Sequence, residues 1–203
     1  AAGYDLTRLL VGSEGTLGII TSATLRLFGV PESIVSAVCP FKTLDGACRT
    51  VITAVQLGLG MARIELVDAL QIRATNEFAK LSLTETPTLF LEFHGSPTST
   101  REQVGIFQEL AASENGGPFE WAERPEDRSK LWQARHDAYW ASLVLRPGAR
   151  PLATDVCVPV SRLAECVAET HADIAETKLI APIVGHVGDG NFHVMPLIDP
   201  EDA

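Results

Sequence analysis

The chain has 203 residues, with 16 Lys and Arg against 26 Asp and Glu and a formal charge of −10. With 46% apolar and 21% charged residues the composition is globular and excludes a disordered chain, and the length suits one large or two small domains. The acidic balance argues against a nucleic-acid-binding surface, which must neutralise phosphates; no apolar run approaches the roughly 18 residues that cross a bilayer, and no basic-then-apolar leader opens the sequence. Four cysteines, Cys39, Cys48, Cys157 and Cys166, are widely spaced without a CxxC pair. They read as buried thiols in a reducing compartment. The chain begins at Ala1 inside a dense motif and stops in a turn-like Asp199-Pro200-Glu201 stretch, so it is expected to be a segment of a longer polypeptide.

In chain order, an apolar stretch from Leu6 to Val11 leads into the glycine-rich turn Gly12 to Gly18. A β-rich run alternating from Thr21 to Leu27 follows. Pro31-Glu32-Ser33 breaks the pattern and is the expected domain boundary. Ile34 to Phe41 reads as a strand, and Thr43 opens a helix that ends at Gly58 or Gly60. Ala62 to Val67 is a second strand; Asp68 caps a helix to about Lys80. A third strand lies between Pro87 and Gly95. Ser99-Thr100-Arg101-Glu102 has the spacing of a capping signal for a helix through Ala112. A helix rich in Trp and Arg is predicted from about Pro125 to Leu143, a strand from Thr154 to Pro159, and a helix capped by Ser161 to about Thr177. Ile180 to Leu197 reads as interrupted β. This order predicts an α+β fold of ferredoxin-like type, an antiparallel sheet with its helices gathered on one face.

The most informative stretch is Gly185-His186-Val187-Gly188-Asp189-Gly190-Asn191-Phe192-His193. Asp189-Gly190 is a two-residue turn signal, because a type I′ turn needs φ > 0 at both central positions. A hairpin centred there pairs His186 with His193. Directly opposed residues share a face, with Cβ atoms about 4.5–5.5 Å apart, so both imidazoles can reach one ion at about 2.0–2.1 Å. The plainer alternative is one packed and one solvated histidine. His94 at a strand end reads as a satisfied polar group, and His171, on an acidic helix face, as solvated. The Gly12 to Gly18 turn lacks the Lys-Ser/Thr of a P-loop and the spacing of a dinucleotide fingerprint; a tight structural turn explains it as well as a cofactor contact does.

Together these motifs resemble a known family. Leu10 to Thr21 resembles the end of the FAD-binding domain in flavoproteins of the vanillyl-alcohol oxidase type, and Gly185 to His193 the signature of their 2-hydroxy-acid branch. Ala62 to Asp68, Thr88 to Gly95, Leu131 to His136 and Thr154 to Pro159 are similar to the FAD-linked, cytochrome-reducing D-lactate dehydrogenases. The resemblance covers nearly all of the chain. It implies that residues 1–30 are the last strands of a flavin domain and that residues 31–203 form a substrate, or cap, domain truncated at its C-terminal end. Gly12, Ser13, Glu14, Gly15, Thr16, Gly18, Ile19 and Ile20, with Asn191, would contact FAD, although Asn191 also fits a local role beside the turn. His186 and His193 match the family's two histidine ligands for a divalent metal, zinc or manganese. Arg135 matches its substrate-carboxylate arginine, a role suited to a planar fork.

The activity so implied is oxidation of a D-2-hydroxy acid, D-lactate to pyruvate foremost, with the metal acting as Lewis acid, Arg135 orienting the substrate, and electrons passing from FAD to cytochrome c or a quinone. A mitochondrial location is implied for a eukaryotic source, and a cytoplasmic or peripheral one for a prokaryote. The family's diphosphate loop and its Glu-His-Gly stretch, which gives the third metal ligand and the base, are not in this sequence. The segment alone is therefore expected to bind FAD poorly and to be inactive. D-2-hydroxyglutarate or glycolate dehydrogenases, a metal hydrolase and a non-catalytic cap-fold subunit are the competing readings. Oligomeric state is left open.

Overall fold

The computed structural model describes residues 3–201. The chain divides between Val30 and Pro31 into two compact units. In the first, the only regular element among the described residues is a short helix, α1 (Leu6–Leu10), for which the Asp5 side chain accepts the Arg8 amide. The alternating run from Thr21 to Leu27 forms no strand, contrary to its sequence pattern. A strand exists only through a hydrogen-bonded neighbour, and here Ile19, Leu25, Leu27, Phe28 and Val30 are all exposed, so the alternation has no surface to bury against.

The second unit follows its local signals closely. Strand β1 (Ser33–Pro40) leads to helix α2 (Leu44–Gln56), where Thr43 Oγ1 accepts the Gly46 amide. Strand β2 (Met61–Val67) leads to α3 (Ala69–Ala79), capped by Asp68 and ended by Lys80 in the left-handed region. Strand β3 (Thr88–Gly95) leads to α4 (Pro97–Ser113). Its cap is Ser96, with Pro97 at the first helical position, rather than the predicted Ser99; a proline there gives up an amide that no helix would bond. Strand β4 (Glu120–Ala122) precedes α5 (Pro125–His136) and α6 (Ala138–Ser142). The single helix predicted to Leu143 is thus broken at Asp137. Short strands β5 (Arg150–Pro151) and β6 (Val156–Cys157) follow. Helix α7 (Leu163–Thr177) is entered through a 3-10 turn over Val160–Arg162, without the predicted Ser161 cap. Strands β7 (Ile183–Gly185), β8 (Asn191–Val194) and β9 (Leu197–Ile198) complete the unit.

Seven strands form one antiparallel sheet in the order β4-β1-β3-β2-β7-β8-β6. Its β4-β1-β3-β2 half is a split β-α-β arrangement, as expected for the ferredoxin-like type. Alternation along each strand assigns two faces. Ala37, Cys39, Ile64, Leu66, Leu89, Leu91, Phe93, Ile183, Phe192 and Val194 pack against α2, α4 and α7. Helices do not gather on that face alone. Val38, Val67, Phe90 and Val184 pack on the other against Ile72 of α3, Trp132 of α5 and Ala138 of α6. Strand β3 is consequently buried along six successive residues. Cys39 and Cys48 are buried, and burial pushes both thiols up to about 12. Cys157, by contrast, is exposed and Cys166 half-buried, against the reading of four buried thiols.

Asp68 tests how the β2–α3 junction is held. Its carboxylate accepts the Gln71 amide at 2.7 Å, yet burial outweighs that bond and pushes its pKa up to about 7. With the folded pKa above the unfolded value of about 3.9, the stabilising contribution is complete below about pH 4 and is lost as pH rises through 7. Asparagine keeps the cap without the charge. Asp68→Asn should therefore match the parent at pH 4 and exceed its stability at pH 8, by up to about 4 kcal/mol, measured by chemical denaturation at both pH values.

Candidate active site

The functional side chains lie on the second face of the sheet, under and beside α5. Trp132 fixes that helix. Its indole Nε1 donates to Ser36 Oγ at 3.1 Å, Ser36 Oγ donates to Glu92 Oε2, and Glu92 Oε1 binds His94 Nε2 at 2.8 Å. Arg63 stacks over the Trp132 ring at 4.8 Å, a cation–π contact. His94 is a satisfied polar group, as expected, and His171 is exposed. Anchored by Trp132, the helix places Arg135 one turn further on, over strand β2.

There one carboxylate joins two groups. Glu65 Oε2 accepts Arg135 Nη2 at 2.9 Å, and Glu65 Oε1 binds His186 Nδ1 at 2.8 Å. The Arg135 and Glu65 side chains are only 11% and 12% exposed. Arg135 Nε is buried without a partner. Beyond His186, whose side chain is 54% exposed, stands His193, with ring centroids 5.6 Å apart and planes at 85°. His193 Nδ1 lies 2.9 Å from the Thr154 carbonyl and 3.5 Å from Asp155 Oδ1. A carbonyl cannot donate, so Nδ1 carries a hydrogen, and in the neutral ring Nε2 keeps its lone pair. The row Arg135–Glu65–His186–His193 lies along one sheet face, buried at Arg135 and Glu65, most open at His186 and 26% exposed at His193. A cleft of about 290 Å³ borders it at Glu65 and His186.

The two histidines meet, but not through the predicted turn. Observed pairing is Ile183 with Val194 and Val184 with His193, so His186 lies beyond the ladder. Val187–Asp189 form a 3-10 turn, and Gly190 alone among the central pair has positive φ, +76°. A type I′ turn is therefore absent. The Val158 carbonyl lies where a Gly190 side chain would begin, so glycine is required there on both counts. The register differs from the predicted one by two residues. A slip of one would have turned His193 to the opposite face, whereas a slip of two preserves parity.

Of the other expected residues, Asn191 donates its amide hydrogens to Asp155 Oδ1 at 2.7 Å and to the Val156 carbonyl at 3.1 Å. Gly12, Glu14 and Gly15 have positive φ and belong to exposed turns, in which the Thr16 hydroxyl donates to the Ser13 carbonyl. Gly18, Ile19 and Ile20 are exposed. Ser13 is half-buried. Glu65, Thr154 and Trp132 were not singled out from sequence. Ala62 to Val67 reads only as a strand, and the helices covering one of its faces give Glu65 its role.

Comparison with known proteins gives the family of the chain. Residues 30–203 match the family model described as FAD linked oxidases, C-terminal domain. The chain belongs to that family. It is 55% identical over 203 residues to a probable mitochondrial D-lactate dehydrogenase of Danio rerio, covering all of this chain and 41% of the relative. It is 46% identical over 200 residues to the mitochondrial D-lactate dehydrogenase [cytochrome] of Arabidopsis thaliana, covering 98% of this chain and 35% of that protein. The chain thus spans about two fifths of the length of these relatives. Among solved structures, an alkyldihydroxyacetonephosphate synthase matches with TM-score 0.65 over 97% of this chain and 43% of its own, at 14% identity, a likeness of fold.

In this FAD linked oxidase domain, the histidine pair suits half of a metal site. Two imidazoles on one ion at about 2.0–2.1 Å, near the tetrahedral angle, have ring centroids about 5.2 Å apart, close to the 5.6 Å observed. Both rings use Nδ1 on a protein oxygen, the usual way a ligating histidine is oriented. Among the described residues no group of three or more His, Cys, Asp or Glu side chains forms a complete site. No helix of the described residues is long and apolar enough to cross a membrane.

Proposed function

We propose that this domain serves an FAD-dependent oxidation of a D-2-hydroxy acid, D-lactate to pyruvate, in a mitochondrial enzyme that delivers electrons to a cytochrome. The observation that carries the reading is the row of Arg135, Glu65, His186 and His193 on one face, in a chain similar over its whole length to proteins named D-lactate dehydrogenase. FAD, when bound, supplies the two-electron acceptor, and a zinc or manganese ion at His186 and His193 supplies Lewis acidity.

Arg135 binds the substrate carboxylate end-on, through Nη1 and the Nη2 hydrogen that Glu65 does not take, a charge-assisted pairing of planar groups. His186 and His193 define the position of the hydroxyl-bearing end. Holding the acid at both ends fixes the direction of its Cα–H bond, so that orientation rather than bond chemistry is the contribution of this domain. Gly12, Ser13, Glu14, Gly15, Thr16, Gly18, Ile19 and Ile20 line the flavin, and Asn191 offers its side-chain oxygen.

Anaerobic mixing of the full-length protein with D-lactate tests the reading. Its flavin absorbance should bleach with D-lactate and persist with L-lactate. Bleaching by glycolate or D-2-hydroxyglutarate in place of D-lactate would assign a sister activity, and a flavin reduced by none of them would leave a non-catalytic domain.

A further inference from the structure

Glu65 is arranged for more than neutralising an arginine. A carboxylate that serves only to balance a guanidinium frequently takes it with two parallel hydrogen bonds. Here Arg135 contributes a single nitrogen, its Nε stays buried without a partner, and the second Glu65 oxygen goes to the imidazole of His186. An ionised carboxylate only accepts. His186 therefore carries a hydrogen on Nδ1, which in the neutral ring leaves the Nε2 lone pair available. On His193 the Thr154 carbonyl enforces the same choice from the other side. Strand β2 holds Glu65 rigidly, since Glu65 pairs with Phe90 in the sheet and its neighbours Ile64 and Leu66 lie in the core.

We propose that Glu65 is a positioning residue of this site: it selects the Nδ1–H tautomer of His186 and, through the same carboxylate, holds one nitrogen of Arg135, so that the metal-facing and carboxylate-facing groups are set by one side chain. The proposal rests on the function proposed above for the roles of Arg135 and His186. The hydrogen position on His186 is a property of this chain's own residues.

The test uses the full-length protein labelled with ¹⁵N-histidine and stripped of metal. In the parent, His186 and His193 should both show a protonated Nδ1 in ring nitrogen–proton correlation spectra. Glu65→Gln presents an NH₂ group to one of two donors, and turning it toward His186 requires that ring to accept at Nδ1 and carry hydrogen on Nε2. His186 should change tautomer while His193 stays as it was. Zinc or manganese titration of the same variant should show affinity lower by about 10- to 100-fold, the usual effect of removing a partner that orients a ligating histidine. Glu65→Asp keeps a carboxylate and should restore the Nδ1–H form. A parent His186 protonated at Nε2, or a Glu65→Gln protein whose His186 spectrum is unchanged, would overturn the proposal. A tautomer that follows Glu65 in a protein whose flavin D-lactate does not reduce would support the role of Glu65 while removing the assigned substrate.

Discussion

Arg135→Ala in the full-length protein should lower kcat/KM for D-lactate by about 10³-fold, most of it through KM. Two charge-assisted hydrogen bonds to a substrate carboxylate are worth about 1.5–3 kcal/mol each, and every 1.4 kcal/mol is a factor of ten. The same substitution strips a buried carboxylate of its cation. Arg135 and Glu65 are each nearly nine-tenths buried, and breaking such a pair costs about 3–5 kcal/mol of stability. Arg135→Lys separates the two effects. Lysine restores a positive charge beside Glu65 but cannot present a planar fork, so stability should largely return while kcat/KM stays low. Steady-state kinetics with chemical denaturation of both variants gives the comparison. An unchanged KM in Arg135→Lys would remove Arg135 from the substrate site and leave it a structural ion pair.

How much of this could be read in advance follows from the range of each interaction. Helix starts at Thr43 and Asp68 were legible because a cap is satisfied three residues away. The β1 and β3 strands were legible as short apolar runs between turn residues, the pattern of strands buried on both faces. Thr21 to Leu27 alternates, but alternation states a demand for a partner and does not supply one. The histidine pair was legible by face and not by register. Asp189-Gly190 has the composition of a tight turn, but Asp189 stays in a 3-10 turn and only Gly190 takes positive φ. Glu65 was the least accessible. Its partners lie 70 and 121 residues away, and nothing local distinguishes a carboxylate facing water from one facing an arginine on a helix from elsewhere in the chain. Trp132 similarly reads as ordinary core until its indole is seen to hold α5 against Ser36.

The second large effect concerns the imidazoles, which differ in what their loss disturbs. His193→Ala removes one ring while leaving Arg135, Glu65 and His186 as they are, because His193 bonds only to Thr154 and Asp155 among them. Each ligand of a bound divalent ion carries several kcal/mol of its affinity, so His193→Ala should weaken zinc or manganese binding more than about 100-fold and abolish flavin reduction by D-lactate, with the flavin spectrum and the unfolding midpoint close to those of the parent. His186→Ala should lose as much metal affinity, but it also frees Glu65 Oε1. That oxygen can then take a second nitrogen of Arg135, drawing the guanidinium away from its ligand, so KM should rise further in any activity that added metal restores. His94→Ala, which loosens the Ser36–Glu92 end of the same face, should leave metal affinity unchanged. Metal titration and anaerobic flavin reduction of the three variants discriminate the outcomes. Full metal affinity in His193→Ala would separate the two rings chemically, however near they stand.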